Sequence, residues 1–444
     1  MRFITRFMLF CILITMTAVT LAQDDTSAPP LRFVERTSLE VLDATLPRMQ
    51  NAIISPDGSM IAWDDRAALC IYVIDTAQQD CTPHPEAPRI VPRNLYWSPD
   101  SAIIALEEDV FNLIIDGDLW LFDVENRTFV NRTDDNSEAN LIGDEGEPEP
   151  LVDVLPTWDS NTVDLYFIRV RPRQDNFIGL YRINSGQGPN FLGLGDAESD
   201  VLGTSEPEMV IDLTGRAETI HFSIFNSQYS ALGHAVAISP DGSRIAFLVR
   251  APNRELASNG VWIVDLLTGN VDVISRRNFH TGAGLPNWMR NEMIEDGLAW
   301  ADDNLVVTLT GVTSEGIHPV SYYVDTETGR TTPLLDYSAI TTLEDYTDRE
   351  ESRGLVFTQY GMVTPDGGHF LYTSMDPTLR DVDVIWSIPL PPDPDDMPQA
   401  LTPSVDAGDF NRFFVNRPSY GIDGNLLRVL MGGYMYTFEI VGDQ

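Results

Sequence analysis

The chain has 444 residues, 67 of them acidic and 28 basic, and its formal net charge at pH 7 is −39. All the basic residues are arginines. Such a surface repels nucleic acid and anionic membranes, which excludes both as main partners, and attracts cations and basic proteins. The evenly spread glycines and prolines favour many short strands joined by turns over long helices.

The N-terminus is typical of a secretory signal peptide. Arg2 and Arg6 are its only charges, and an apolar run from Phe7 to Leu21 leads to a cleavage position after Ala22. An uncleaved anchor is the alternative, but the run is short for a span of about 20 residues. We therefore expect residues 1–22 to be removed and residues 23–444 to form one exported domain in the periplasm, at the cell surface or outside the cell.

Two cysteines of the mature chain predict a disulfide. Cys70 and Cys81 flank a segment that reads as two strands around a turn, so they lie nearly opposite each other on a hairpin. Export places them in an oxidising compartment, where such a pair is expected to be bonded.

One short phrase recurs along the chain and marks a turn followed by an apolar strand. It is clearest at Ile54–Trp63 and Ile238–Phe247. Proline presets φ, aspartate bonds nearby backbone N–H groups, and glycine permits positive φ. Because the phrase recurs, its residues are expected to build turns and not to act on a ligand. The best-matching turn positions are Pro56, Asp57, Pro99, Asp100, Pro240, Asp241, Pro365 and Asp366.

Each turn is followed by an apolar strand that contains an aromatic residue. Seven such units occur, with weaker turns at 156–160, 299–303 and 421–425, and some carry a fourth strand, as at 271–274 and 331–335. Four antiparallel strands per repeat predict the blades of an all-β β-propeller. Trp97, Trp158 and Trp300 precede their turns at the same position and are expected to pack between blades.

The repeat resembles the TolB-type, WD-repeat-like propellers. The resemblance rests on the Ser-Pro-Asp-Gly turn and the Ile-Ala-Phe or Ile-Ala-Trp strand after it, and it extends from about Gln50 to the end. It implies a propeller fold and a role in scaffolding or protein contact. The last unit lacks a fourth strand, and we expect residues 31–42 to supply it and close the ring of seven blades.

Eight and six blades are the alternatives to seven. The long interval 188–232 contains Met209–Arg216, which resembles a third strand with its turn and is followed by 218–222. We expect an inserted hairpin there, and an eroded eighth blade is the alternative. The connections at 134–153 and 276–295 also break the repeat, and such loops are where a binding site is expected.

The sequence contains no catalytic motif. It lacks a Gly-x-Ser-x-Gly elbow, and its six histidines have no metal-binding spacing, although they could converge at the axis. We expect no cofactor. Calcium at 116–118 or 393–396 is the alternative to ordinary turns, with Asp116-Gly117 reading as a hairpin turn.

The sequence thus predicts an exported, monomeric, non-catalytic propeller that binds or scaffolds a protein, peptide or glycan. One alternative is a propeller enzyme of the lyase, lactonase or cyclase type with an axial site. Another is a propeller that regulates a separate hydrolase.

Overall fold

The computed structural model describes nineteen stretches of the chain, and the predicted signal peptide lies outside them. They are residues 31–38, 52–64, 67–85, 95–107, 117–134, 151–162, 164–170, 178–183, 207–214, 236–249, 260–275, 278–279, 293–313, 316–334, 361–375, 383–393, 398–403, 419–431 and 434–441. Within this part of the chain, no helix has the length and apolar character needed to cross a bilayer.

The described residues form 28 strands. In chain order they are β1 (Leu31–Ser38), β2 (Ile53–Ile54), β3 (Met60–Asp64), β4 (Ala68–Val73), β5 (Gln78–Pro83), β6 (Leu95–Trp97), β7 (Ile103–Glu107), β8 (Leu119–Asp123), β9 (Thr128–Asn131), β10 (Val152–Trp158), β11 (Leu165–Val170), β12 (Ile178–Ile183), β13 (Glu208–Asp212), β14 (Val236–Ile238), β15 (Arg244–Val249), β16 (Gly260–Asp265), β17 (Val271–Ser275), β18 (Met293–Ala301), β19 (Asn304–Thr313), β20 (Gly316–Val324), β21 (Thr331–Pro333), β22 (Gly361–Val363), β23 (His369–Met375), β24 (Asp383–Pro389), β25 (Gln399–Ala400), β26 (Ser419–Asp423), β27 (Leu426–Met431) and β28 (Tyr434–Ile440).

These strands form seven antiparallel sheets of four. Six blades are consecutive runs of strands: β2–β5, β6–β9, β10–β13, β14–β17, β18–β21 and β22–β25, numbered here blades 1 to 6. Blade 7 consists of β26, β27 and β28 with β1 at its outer edge. The seven-bladed β-propeller predicted from the repeats is confirmed, and the alternatives of six and eight blades are wrong.

The hydrophobic core lies between the blades. One apolar cluster joins each neighbouring pair, for example Trp120 and Phe122 of blade 2 with Ile71 of blade 1. The same holds around the ring, including blade 7 against blade 1, where Leu430 and Met435 meet the first blade. Since each large apolar side chain stabilises by about 1.5–3 kcal/mol when buried, neither face of a blade is stable without its neighbours.

The N-terminal strand closes the ring, as predicted. β1 pairs with β28 from Leu31, opposite Ile440, to Ser38, opposite Tyr434, with one bulge in the register. Phe33 lies edge-on against Phe438, with ring centroids 6.0 Å apart. Residues 39–42 of the predicted closing segment lie outside the described residues.

The expected inserted hairpin at Met209–Arg216 is wrong. Its strand, β13, is the outermost strand of blade 3, with Ile211 opposite Leu180 of β12. It resembles a third strand because a similar turn follows it, in which Asp212 accepts a hydrogen bond from Thr214 N–H. The connection from β12 to β13 is longer than its counterparts, and this hid the fourth strand. Residues 218–222 lie outside the described residues.

The predicted disulfide is present. Cys70 on β4 lies directly opposite Cys81 on β5, with a Cα–Cα distance of 4.0 Å and an S–S distance of 2.01 Å. It joins the third strand of blade 1 to the outermost one.

Candidate functional site

The recurring turns are built around a hydroxyl and a carboxylate. Ser55 Oγ donates to Asp57 at 2.6 Å and accepts from the backbone N–H of Met60 at 2.9 Å. Asp57 also accepts from Ser59 N–H at 3.0 Å. The equivalent hydroxyl–carboxylate pairs, each 2.5 Å apart, are Ser98 with Asp100, Ser239 with Asp241, and Thr364 with Asp366. In the sequence this hydroxyl was visible only as part of the Ser-Pro-Asp-Gly turn, without a role, although it recurs five residues before the first bonded residue of the next strand.

Neighbouring turns also contact one another. The Pro56 carbonyl of blade 1 accepts from Ile422 N–H of blade 7 at 2.8 Å, and Pro240 O of blade 4 accepts from Asn161 of blade 3 at 3.0 Å. Three further contacts of this kind join Asp57 to Ser101, Arg244 to Asp303, and Gly367 to Asp302. The turns between the first and second strands of the blades therefore share one face, called here the turn face.

Glycine is required where turns of different blades meet. Gly58 has φ +72°, and a Cβ there would lie 3.3 Å from the backbone nitrogen of Asp423. A Cβ on Gly421 would meet the Ser55 carbonyl and lie 2.5 Å from Gly58 Cα. The close approach of blades 7 and 1 thus depends on a glycine from each.

Each blade contributes an aspartate to the turn face. This aspartate ring comprises Asp57, Asp100, Asp159, Asp241, Asp302, Asp366 and Asp423. All are exposed except Asp159, which is buried and accepts from Asn161 N–H at 2.8 Å. The two arginines nearest the turns are already paired, Arg244 with Asp303 at 2.8 Å and Arg428 with Asp423 at 3.0 Å.

Hydrogen bonds within two of the turns lower the pKa of the aspartate there. Those from Ser239 and Ser243 lower the pKa of Asp241 to about 2. Partial burial acts to raise the pKa of Asp57, but hydrogen bonds from Ser55 and Ser59 outweigh it, so the pKa is lowered. Asp57 and Asp241 therefore hold their charge even in a mildly acidic compartment.

Tyr420 is the exposed aromatic residue of the innermost strands. It lies on β26 and is 38% exposed. Although part of the residue meets solvent, burial of the phenol and the negative charge of Asp366 raise its pKa. The charge of Asp366, a member of the aspartate ring, therefore acts on the phenol of Tyr420.

The tryptophans before the turns join neighbouring blades. Trp158 Nε1–H donates to the Tyr96 carbonyl of the preceding blade at 3.0 Å, and Trp300 Nε1–H donates to Ala237 O at 2.9 Å. Trp97 is buried in the cluster between blades 1 and 2. These positions agree with the predicted packing role.

One buried pair has the residue types of a catalytic dyad. His84 Nε2 lies 2.6 Å from Asp64 Oδ2, and the two side chains are 0% and 2% exposed. The imidazole lies 5.2 Å from the Phe129 ring, and Nδ1 has no hydrogen-bond partner. A carboxylate can orient a histidine base, but a base must reach its substrate. Because both side chains are buried, a substrate does not reach them. The pair therefore has a structural role where the outer part of blade 1 packs against blade 2.

The described residues contain no group of three or more His, Cys, Asp or Glu side chains placed to hold a metal ion. Asp118, a suggested calcium ligand, accepts from Asn131 Nδ2 at 2.7 Å and from Thr133 Oγ1 at 3.4 Å. Asp116 and residues 394–396 lie outside the described residues. Of the six histidines, only His84 and His369 have described side chains, so convergence at the axis stays a prediction.

The hairpin turn expected at Asp116-Gly117 stays a prediction, because Asp116 lies outside the described residues. Gly117 itself forms a parallel bridge with Val152 of blade 3, and its carbonyl accepts from Asp153 N–H at 2.7 Å. The residue therefore makes a backbone contact between blades 2 and 3.

The connections 134–153 and 276–295 lie mostly outside the described residues, so the binding site expected there stays a prediction. One described part is Phe279, which is fully buried against Tyr322 of blade 5, with ring centroids 5.4 Å apart. This residue fills the groove between blades 4 and 5 and is a core residue.

The sequence matches no protein-family model and no curated protein significantly. Solved structures that are similar to this chain have low sequence identity to it and TM-scores below 0.5. A chain of the mitotic checkpoint complex is 11% identical with a TM-score of 0.48, covering 96% of this chain and 97% of that one. An oligogalacturonate lyase in complex with manganese is 13% identical with a TM-score of 0.48, covering 94% and 97%. The β-propeller domain of the trilobed protease from Pyrococcus furiosus is 14% identical with a TM-score of 0.40, covering 80% and 82%.

Proposed function

We propose that this protein is an exported, non-catalytic propeller that binds a positively charged protein or peptide on its turn face. The aspartate ring is the observation that carries the proposal. It gathers one carboxylate from every blade on one face of a chain whose net charge is already −39. Complementary charge steers such a partner and fixes its orientation.

The ring is suited to binding because its carboxylates are held in place before a ligand arrives. The hydroxyl of Ser98 or Thr364 positions its aspartate at 2.5 Å, so little side-chain freedom is lost on binding. Arg244 is engaged with Asp303, which is not a member of the ring, whereas Arg428 is paired with Asp423 and offsets the charge of that one member. A neutral glycan gains little from such carboxylates, and a basic peptide gains most.

Tyr420 adds a second kind of contact. The partly exposed ring of Tyr420, which feels the charge of the Asp366 carboxylate, is expected to offer a guanidinium a ring face near an acidic group. Arginine uses both interactions well because its planar cation stacks on aromatic rings. We therefore expect arginine-rich segments to bind more tightly than lysine-rich ones of equal charge.

The test is a titration with an arginine-rich peptide at low and physiological salt, with a glutamate-rich peptide as the negative control. The triple variant Asp57→Asn, Asp100→Asn and Asp366→Asn keeps the acceptor oxygens of the turns and removes three charges. We expect it to weaken binding about tenfold or more, as loss of three close ion pairs implies.

The matched control removes the same number of charges elsewhere. Glu35→Gln and Asp80→Asn lie on the outermost strands of their blades, and Asp134→Asn follows the outermost strand β9 at an exposed position. We expect this variant to bind within about threefold of wild type, since exposed distant charges are screened. Equal weakening in both triple variants would show that net charge alone drives binding and would refute a site on the turn face.

The non-catalytic part of the proposal has its own test. It combines elemental analysis of the purified protein with a structure of the axial channel. A metal ion present in stoichiometric amount would contradict a non-catalytic propeller. Three or more His, Asp or Glu side chains converging on the axis would contradict it equally, and would favour the lyase, lactonase or cyclase type of enzyme.

A further inference from the structure

Among the described strands, the outermost strand of blade 4 has no strand paired to its outer edge. β17 has five residues in unbroken register with β16 and pairs with no other described strand. The other described outer strands are blunted in ways that discourage further pairing. β1 and β13 contain bulges, β5 and β21 contain prolines, β9 has four residues and β25 has two.

The hydrogen-bond pattern shows which backbone groups of β17 point outward. Asp265 N–H donates to Asn270 O at 2.9 Å where the hairpin begins. In an antiparallel pair, hydrogen-bonded positions alternate with positions whose groups point away. Asp272 therefore bonds to β16, whereas the N–H and C=O groups of Val271 and Val273 face outward.

The side chains of these outward residues form an apolar strip. Val273 lies opposite the buried Trp262 on the side of blade 4 that faces blade 3, and it is 42% exposed. Leu267, in the turn before β17, is 94% exposed and is held there by Asp265, which accepts its N–H at 3.1 Å. Phe279 fills the groove on the other side of blade 4, but no described residue fills the groove beside Val273 in this way.

Acidic residues surround the strip. Asp272 lies on β17 between the two valines, and Asp265 caps the turn. Asp212 lies on β13 of the neighbouring blade, where Glu208 is already paired with Arg182 at 2.6 Å. No arginine occurs on β13, on β17 or in residues 265–270, and Arg276 and Arg277 follow β17 in the sequence. A second copy of this chain would bring like charges together, so the strip suits a partner of opposite charge.

We propose that an extended segment of a basic partner protein adds to the free edge of β17 as a fifth strand of blade 4. Residues directly opposite each other in neighbouring strands share one side of the sheet. The segment therefore has apolar residues opposite Val271 and Val273 and an arginine or lysine opposite Asp272. This inference goes beyond the proposed function because it concerns the outer rim and not the turn face.

Hydrogen exchange of the free protein tests whether the edge is open. Read by NMR, the amide of Val273 exchanges quickly and those of Asp272 and Ile274 slowly, since only the last two are bonded to β16. Slow exchange at Val273 would show that the edge is covered, by the chain itself or by a second copy, and would overturn the proposal. Sedimentation measurements would tell these two covers apart.

The binding test uses a short peptide of alternating Arg and Val. A matched peptide with every second amide N-methylated keeps the side chains and removes the outward donors. We expect the first peptide to bind and to slow exchange at Val273, and the second to bind at least about tenfold more weakly. Equal binding of the two peptides would contradict strand addition.

Two variants of the protein complete the test. Val273→Pro removes an outward N–H without touching the bonds to β16, a position where edge strands tolerate proline. We expect about tenfold weaker binding, whereas Val273→Thr, which keeps the N–H and the branched side chain, binds within about twofold of wild type. Unchanged binding by Val273→Pro would overturn the proposal. The Asp57→Asn, Asp100→Asn and Asp366→Asn variant retains the edge of β17. Binding at this edge and binding at the turn face can therefore be refuted independently of each other.

Discussion

Substitution of Gly421 by alanine tests how the last blade meets the first. The added Cβ would collide with the Ser55 carbonyl and lie 2.5 Å from both Gly58 Cα and Gly58 N. Because all three are backbone atoms, no side-chain rotation relieves the clash. Overpacking of this kind costs about 1–3 kcal/mol.

If blades 1 and 7 move apart to relieve this clash, two hydrogen bonds between them also break. Ile422 N–H donates to Pro56 O at 2.8 Å, and Arg428 Nη1 donates to Gly58 O at 2.5 Å. Their loss adds about 1 kcal/mol for the neutral bond and up to about 2 kcal/mol for the charged one. We expect Gly421→Ala to lower the free energy of unfolding by about 3–5 kcal/mol.

Differential scanning calorimetry measures this change. A chain of this length has an unfolding entropy of about 0.9 kcal/mol/K, so the expected fall in Tm is about 3–5 °C. Gly424→Asn is the control: φ is +62° and a Cβ would meet nothing within 4 Å, and asparagine tolerates this conformation. A Tm for Gly421→Ala equal to that of the wild type, or of the control, would refute the close approach of the two blades.

Three further predictions concern stability. Replacing Cys70 and Cys81 by serine should cost about 2–3 kcal/mol, since the disulfide closes an interval of 11 residues. The pKa of Asp241 falls from 3.8 to about 2 on folding, so its contribution to stability is present above pH 4 and is lost as the pH falls towards 2. Asp64→Ala should cost about 1–3 kcal/mol because it leaves the buried His84 Nε2 without its hydrogen-bond partner, whereas Asp80→Ala, on an exposed strand, should cost less than about 1 kcal/mol.

Each of these predictions has a contrary result. For the disulfide, a reductant should lower the Tm of the wild type and leave the double variant unchanged, and equal responses would contradict a bonded pair. For Asp241, the Asn variant should lose the acid-dependent part of stability, and parallel pH profiles would contradict the hydrogen-bonded turn. For Asp64, a cost no larger than that of Asp80→Ala, measured by denaturant unfolding, would contradict the structural role of the buried pair.

The fold was predictable because the propeller repeats its local chemistry. The Ser-Pro-Asp-Gly turn needs only adjacent residues, so Pro56 and Pro240 mark their blades without knowledge of distant contacts. β13 was misread because the position of a strand within its blade depends on the strands with which it pairs. The residues of a third and a fourth strand look alike in sequence when both precede a turn capped by aspartate. The bridge from Gly117 to Val152 was not predictable for the same reason, since Val152 lies in another blade.

The candidate surfaces were less predictable than the fold. Each turn aspartate was visible in the sequence, but only the contacts between turns, such as Asn161 with Pro240, place the aspartates on one face. The open edge of β17 depends on which amides point outward, and that follows from the register with β16. Sequence periodicity gives the alternation of a strand but not its place in a sheet.

The most direct measurement of the proposed function is zero-length carbodiimide cross-linking of a mixed arginine–lysine peptide to the protein, mapped by mass spectrometry. The peptide amines couple only to carboxylates that they touch. We expect the cross-links to concentrate on the exposed members of the aspartate ring, such as Asp57, Asp100 and Asp366, and to disappear at high salt. Cross-links spread evenly over the acidic surface, or confined to other carboxylates, would contradict the proposed function.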